Sequence, residues 1–120
     1  MKALRVLVVE DDYLIGIYLA ELLVTMGYDV CAIEATEADA VTAAVQYRPD
    51  LMIVDMHLRN GSGIAAVEQI SRTLPLPHVF VSGDMSSIEA SRRGSVVLPK
   101  PFRESDLARA IQRALRANPS

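Results

Sequence analysis

Residues 4–12 are Leu4-Arg5-Val6-Leu7-Val8-Val9-Glu10-Asp11-Asp12, a short apolar run that ends abruptly in three acids. A run of this length, rich in β-branched residues, is typical of a buried strand in a parallel sheet. An apolar stripe with helical spacing follows it and stops at Gly27, a residue type common just after a helix. The stripe, which should face the sheet, consists of Leu14, Ile15, Tyr18, Leu19, Leu22, Leu23 and Met26. The stretch therefore predicts a strand that leads into a helix, with acidic residues at the connection.

The same alternation continues to the end of the chain. The other apolar runs that predict strands are residues 29–33, 51–54, 79–81 and 96–98. The helical patterns between and after them cover residues 36–47, 64–74, 86–93 and 107–115. Five strands alternating with five helices predict an α/β fold, a doubly wound parallel five-stranded sheet with helices on both faces. No linker or repeat interrupts the pattern, so we expect residues 1–120 to form a single domain.

Composition limits the kind of protein this can be. Of the 120 residues, 51% are hydrophobic, which argues against disorder, and the net charge of −3 argues against nucleic acid as the main partner. The lone Cys31 allows no internal disulfide and is expected to be a small buried residue. No apolar stretch is long enough to span a membrane, and the first run breaks off too early for a signal peptide. We expect a soluble, cytoplasmic protein.

Polar residues follow four of the five predicted strands. Glu10, Asp11 and Asp12 follow the first strand, and Asp55, Ser82 and Lys100 follow the third, fourth and fifth. Ligands of open α/β sheets bind beyond the carboxyl ends of the strands, where the strand order reverses. In the flavodoxin-like order 2-1-3-4-5 that point lies between strands one and three. This order would bring Asp11 and Asp55 side by side.

These residue types suit the chemistry of a phosphoryl group. Two carboxylates about 4 Å apart repel by roughly 4 kcal/mol at an effective dielectric of about 20, so converging acids need a cation. Oxygen ligands suit Mg²⁺, Lys100 can bind a phosphate, and Ser82 can donate to a phosphoryl oxygen. An aspartate can also act as a nucleophile and form an aspartyl phosphate, a role we assign to Asp55. Each residue alone has a simpler explanation as a turn, helix-end or solvated residue; their combination favours the phosphoryl site.

At these residues the chain resembles, over nearly its whole length, the CheY-like receiver domain of response regulators in two-component systems. The motifs that carry the resemblance are Val8-Val9-Glu10-Asp11-Asp12, Val54-Asp55-Met56-His57-Leu58 with Gly63 beyond it, Phe80-Val81-Ser82-Gly83, and Lys100-Pro101-Phe102. Each motif is weak alone, but the four occur in order and at the spacing of the βα units.

The resemblance implies a role for each polar residue. Asp55 is the phosphorylation site, Ser82 the switch hydroxyl and Lys100 the phosphate-contacting lysine. We expect Mg²⁺ to bind the side chains of Asp11 and Asp55. The backbone carbonyl of His57 is the third expected ligand, and Glu10 should reach the ion through water. The resemblance also implies a cis peptide bond between Lys100 and Pro101.

The chain departs from the family pattern in three places. Val97 stands where the family usually has Tyr or Phe, and Gly83 stands where it usually has Ala. The interval from Ser82 to Lys100 is shorter than expected by roughly one helical turn. These departures question the usual aromatic output switch but leave the phosphorylation chemistry intact.

The predicted function is that of a phosphoacceptor for a histidine kinase or histidine phosphotransfer protein. Phe80-Val81-Ser82-Gly83 resembles the Phe-Ala-Thr-Gly-Tyr motif of some stand-alone receivers, although it differs at Val81 and Asp84. Since no output domain follows the last helix, we expect a phosphate shuttle or sink, acting as a monomer or weak dimer, with no membrane or nucleic-acid partner. It should catalyse only its own phosphorylation and dephosphorylation.

Three alternatives remain open from the sequence. The first is a phosphorylation-dependent binding protein that regulates a kinase or another partner. The second is a pseudo-receiver that binds without phosphorylation, against which the intact set of polar residues argues. The third is a haloacid-dehalogenase-type phosphatase, which needs a second acid where His57 stands.

Two further expectations concern the loops and the predicted fourth helix. His57 and Asp84 lie two residues after Asp55 and Ser82, and we expect them to tune the lifetime of the phosphoryl group. The predicted helix at residues 86–93 has a single large apolar anchor, so we expect it to open easily.

Overall fold

A computed structural model describes residues 2–83 and 94–117 of the chain. Five parallel strands form one sheet in the order β2-β1-β3-β4-β5. The strands are β1 (Arg5–Val9), β2 (Asp29–Glu34), β3 (Leu51–Asp55), β4 (His78–Ser82) and β5 (Val97–Pro99). The predicted flavodoxin-like fold and its strand order are confirmed.

Four helices lie within the described residues. They are α1 (Tyr13–Thr25), α2 (Glu37–Tyr47), α3 (Gly63–Ser71) and α4 (Glu104–Ala117). The last of these is the fifth predicted helix; the fourth, at residues 86–93, lies outside the described residues. Across the described ranges, no helix combines the length and the apolar character needed to cross a bilayer.

Alternate residues of each central strand enter two separate cores. Val6 and Val8 of β1 point to the face covered by α1 and α4, while Leu7 and Val9 point to the face covered by α2 and α3. All four are completely buried, and burial of such side chains is worth roughly 1.5–3 kcal/mol each. Burial on both faces explains why the strands are continuous apolar runs in the sequence.

Side-chain caps place three helix starts at the carboxyl edge of the sheet. The carboxylate of Asp12 accepts hydrogen bonds from two amides of the first turn of α1, at 3.0 and 3.2 Å. The hydroxyls of Thr36 and Ser62 accept one amide each in α2 and α3. At the other end of α1, Gly27 adopts a φ of +98°, as its predicted helix-ending role requires. These caps set where each helix begins relative to the strand before it.

The exposed face of α1 differs from the sequence prediction. Leu14 and Tyr18 belong to the predicted buried stripe but are 76% and 51% exposed, whereas Leu19 and Leu23 are buried. The helix is apolar almost all round, so hydrophobic spacing could not identify the face that contacts the sheet. Packing selects the face that carries Gly16, where a Cβ would lie 3.1 Å from Ile33.

An extra residue interrupts the pairing of β1 with β2. Val6 pairs with Val30 and Leu7 pairs with Ala32, which leaves Cys31 as a bulge. The Cys31 thiol is half-buried and donates a hydrogen bond to the Val6 carbonyl at 3.3 Å. Burial raises the pKa of this thiol, so it stays protonated.

Candidate functional site

Three carboxylates meet at the carboxyl end of β1 and β3. An oxygen from each of Glu10, Asp11 and Asp55 lies within 4.8 Å of the other two. The two strands are neighbours in the sheet, with Val9 paired to Val54, so the residues that follow are brought level. The convergence of Asp11 and Asp55 that the sequence predicted is therefore present, and Glu10, which was also predicted to belong to the site, lies with them.

Lys100 supplies a positive charge to this acidic cluster. Its Nζ lies 3.4 Å from Oδ2 of Asp55 and 3.6 Å from Oε1 of Glu10. Its backbone amide donates to the Ser82 carbonyl at 2.8 Å, which fixes the residue just beyond β5. Burial alone would lower the pKa of Lys100, but the charges of Glu10 and Asp55 raise it above its ordinary 10.5. The ammonium therefore stays charged. The predicted cis bond between Lys100 and Pro101 is confirmed.

Glu10 is the most deeply buried acid of the cluster. It is only 3% exposed, and its Oε2 accepts a hydrogen bond from the Asp12 amide at 3.1 Å. Burial, reinforced by the neighbouring Asp55 carboxylate, raises the pKa of Glu10 from 4.5 to about 7. The Asp12 amide and the Lys100 charge act in the opposite direction but do not cancel this.

The cluster fits a hard divalent cation. When all groups are ionised, three carboxylates and one ammonium leave a net charge of −2. Within residues 2–83 and 94–117, Oε1 of Glu10 is buried without a hydrogen-bond partner. Mg²⁺ prefers oxygen ligands of this type and commonly uses one or two carboxylates. The donor set and its charge therefore match this ion.

The backbone around Asp55 holds its carboxylate in a defined position. The His57 amide donates to Oδ1 of Asp55 at 3.0 Å, and the Met56 amide donates to the Val81 carbonyl at 3.0 Å. Gly63 begins α3 directly against this segment. A Cβ there would overlap the Asp55 carbonyl oxygen and lie 2.7 Å from Cγ1 of Val54. Only glycine allows this approach, which explains the Gly63 of the sequence motif.

The remaining predicted site residues lie at the same edge of the sheet. Ser82 is the last residue of β4, the strand next to β3, and is 1% exposed. His57 is exposed and forms an isolated antiparallel bridge with Ser62. Asp84 lies outside the described residues.

Two residues that the sequence analysis did not select contact this edge. The Arg59 amide donates to Oδ2 of Asp11 at 2.6 Å, and its Nε lies 3.8 Å from the same oxygen. Oε2 of Glu37 accepts a hydrogen bond from the Ser62 amide at 3.2 Å. Contacts between a side chain and a distant backbone amide leave no pattern in one sequence, so no local signal could have identified them.

The known proteins that this chain resembles in sequence and structure are regulatory proteins and response regulators. The chain is 34% identical over 115 residues to the transcriptional regulatory protein PdtaR of Mycobacterium tuberculosis, a match that covers 92% of this chain and 56% of PdtaR. The solution structure of the PhyR response regulator REC domain from Erythrobacter litoralis superposes with a TM-score of 0.88 at 31% identity, covering 100% of this chain and 95% of that domain. The anti-anti-sigma factor PhyR of Bartonella quintana gives 0.83 at 28% identity, covering 98% of this chain and 49% of that protein.

The chain thus spans about half the length of PdtaR and of the Bartonella protein. The family model for the response regulator receiver domain matches residues 6–112, which is most of the sequence. Fold, site geometry and relatives agree, and the chain belongs to the response regulator receiver domain family.

Proposed function

We propose that the chain accepts a phosphoryl group on Asp55 from a histidine kinase or histidine phosphotransfer protein. The observation that carries this proposal is that the Asp55 carboxylate lies 3.4 Å from the Lys100 ammonium and within 4.8 Å of carboxylate oxygens of Glu10 and Asp11. Transfer of a phosphoryl group to a carboxylate requires a nucleophile, a fixed cation and ligands for a second cation. All three are present at this site.

The chemistry can be assigned to these side chains. An Asp55 oxygen attacks the phosphorus of a phosphohistidine; the new O–P bond forms as the N–P bond breaks, and its electron pair stays on the imidazole. Lys100 offsets the negative charge of the phosphoryl oxygens, and Ser82 is the proposed hydrogen-bond donor to one of them. Glu10, Asp11, Asp55 and the His57 carbonyl would hold Mg²⁺, which when bound supplies further charge neutralisation. No activity on other molecules is proposed.

The N-terminal half of α1 offers a docking surface for the phosphoryl donor. Tyr13 and Leu14 are 77% and 76% exposed and lie two and three residues after Asp11, and Tyr18 extends the surface by one turn. Large exposed apolar patches on soluble proteins commonly mark protein contacts. A donor bound here would have its histidine next to Asp55.

Phosphorylation with a small acyl phosphate tests the site assignment. We expect Mg²⁺-dependent labelling that is acid-labile and hydroxylamine-sensitive in the wild type, and its loss in Asp55→Asn. Asp12→Asn is the matched control, because Asp12 caps α1 at the same edge and lies outside the three-carboxylate cluster. Undiminished labelling of Asp55→Asn would defeat the proposal.

A second candidate function is phosphorylation-dependent binding of a regulatory protein. It is favoured by the relatives, since one is named a transcriptional regulatory protein and another an anti-anti-sigma factor. A reconstituted mixture with the cognate kinase separates the two roles. Phosphoryl groups that drain from the kinase through Asp55 indicate a shuttle or sink, whereas a stable complex formed only by the phosphorylated chain indicates the regulator.

A further inference from the structure

The loop between β3 and α3, residues 56–62, is fastened to a part of the chain distant in sequence. Oε2 of Glu37, the first residue of α2, accepts a hydrogen bond from the Ser62 amide at 3.2 Å, across 25 residues. On its other flank, the same loop donates the Arg59 amide to Asp11 at 2.6 Å. The loop is thus held from two sides, by α2 and by the acidic cluster.

The fit between Glu37 and the loop is close. Gly61 has a φ of +98°, and a Cβ there would overlap Oε2 of Glu37 and lie 3.1 Å from its Cβ. A side chain at residue 61 would therefore displace the Glu37 carboxylate. Glycine at this position is required both by the backbone conformation and by the presence of the carboxylate.

A short series of contacts leads from Glu37 to the phosphoacceptor. Ser62, which Glu37 binds, pairs with His57 in an antiparallel bridge. The His57 amide in turn donates to Oδ1 of Asp55 at 3.0 Å. Release of Ser62 would free one side of the loop that orients Asp55 and presents the His57 carbonyl.

We propose that Glu37 is a positioning residue that holds the β3–α3 loop in the geometry needed for Mg²⁺ binding beside Asp55. This inference rests on the proposed function, since it concerns the same site. Glu37 acts through the Ser62 amide, because its hydrogen bond is made to the loop backbone. Its acceptor oxygen, and not its charge, is the property that matters.

The competing explanation is that Glu37 only favours the N-terminus of α2 through its charge. Asp39 provides the comparison, because it is a second acid in the same first turn and is exposed. Three substitutions separate charge from hydrogen bonding. Glu37→Gln keeps an acceptor of the same reach without charge, Glu37→Asp keeps the charge but shortens the side chain by one methylene, and Glu37→Ala removes both.

The experiment measures Mg²⁺ affinity by calorimetry and exchange of the Ser62 amide in metal-free protein. Loss of one hydrogen bond of ordinary strength should weaken Mg²⁺ binding about fivefold in Glu37→Ala and Glu37→Asp. Exchange of the Ser62 amide should accelerate by a similar factor or more in both. Glu37→Gln and Asp39→Ala should stay close to the wild type in both measurements.

Each outcome decides the proposal. Glu37→Asp that behaves like the wild type, or Glu37→Gln that behaves like Glu37→Ala, would show that charge matters and would overturn it. If Glu37→Ala proves too unstable to study, the Asp and Gln variants decide it alone. If the wild type binds Mg²⁺ and is phosphorylated, and the Glu37 variants match it in Mg²⁺ affinity and Ser62 amide exchange, only this inference is defeated. A wild type that does neither defeats the proposed function as well.

Discussion

Ionisation of Glu10 should make the stability of the metal-free protein depend on pH. Burial, and secondly the neighbouring Asp55 carboxylate, raise the pKa of this carboxyl from 4.5 to about 7. The folded protein therefore keeps a proton that the unfolded chain releases above about pH 4.5. Because the folded state binds more protons between about pH 4.5 and 7, the free energy of unfolding falls as the pH rises through this range. Above about pH 7, the contribution of Glu10 no longer changes with pH.

The magnitude follows from the two pKa values. At about 1.36 kcal/mol per pH unit, the difference between 4.5 and about 7 amounts to about 3 kcal/mol, and most of it falls between pH 5 and pH 8. The side chain is only 1% exposed, so solvent screens this effect little. For a chain of 120 residues, with an unfolding entropy of about 2.1 cal/mol/K per residue, about 2–3 kcal/mol corresponds to a shift in Tm of about 10 °C.

Glu10→Gln is the substitution that isolates this effect. Glutamine keeps an acceptor for the Asp12 amide and the shape of the side chain, but it cannot ionise. In denaturant unfolding with a chelator present, the stability of Glu10→Gln relative to the wild type should be about 2–3 kcal/mol greater at pH 8 than at pH 5. Glu21→Gln, on the exposed side of α1, is the control and should follow the wild type.

The comparison between two pH values removes any constant effect of the substitution. If Glu10→Gln differs from the wild type by the same amount at pH 5 and pH 8, the carboxyl is not the source of the pH dependence and the reasoning is refuted. Saturating Mg²⁺ should reduce the stability difference between Glu10→Gln and the wild type at pH 8, because the ion offsets the repulsion between ionised Glu10 and the neighbouring carboxylates.

Three further predictions test the structure around the site. Gly63→Ala should lower stability by about 1–3 kcal/mol because its Cβ would overlap the Asp55 carbonyl. Gly83→Ala, whose Cβ would meet just Cδ of Lys100, at 3.9 Å, among residues 2–83 and 94–117, should be nearly neutral in thermal unfolding, and equal Tm values for the two variants would contradict this. Lys100→Met should tighten Mg²⁺ binding, measured by calorimetry, because it removes a competing cation 3.4 and 3.6 Å from two carboxylates, and weaker binding would count against it. Asp12→Ala should lower the free energy of unfolding by about 1 kcal/mol through loss of the α1 cap, while Asp12→Asn should not; two variants of equal stability would exclude a capping role.

Much of the fold could be predicted because burial leaves a direct trace in the sequence. Val6 to Val9 are all completely buried, and the continuous apolar run that results marks β1 without ambiguity. The acids that end the run, and the polar residues after three other strands, mark the edge where the site forms. The strand order rests on the known flavodoxin-like arrangement, since periodicity alone does not order strands.

Other features depend on packing that the sequence does not encode locally. Leu14 and Tyr18 have the spacing of buried residues, yet they are exposed because α1 is apolar on nearly every side. The contacts of Glu37 with Ser62 and of Arg59 with Asp11 join residues 25 and 48 positions apart through backbone amides, whose positions depend on the folded loop.

The bulge at Cys31 has a consequence for changes in chain length. Deletion of Cys31 alone would join Val30 to Ala32 and leave a regular ladder, with Val30 still paired to Val6 and Ala32 to Leu7. A deletion between Ala32 and Glu34 would instead turn the remaining side chains to the opposite face. It would also withdraw the Glu34 carbonyl, which accepts the Glu10 amide at 2.9 Å. Among single-residue deletions in β2, loss of Cys31 is therefore the one that leaves the pairing of the remaining residues with β1 unchanged.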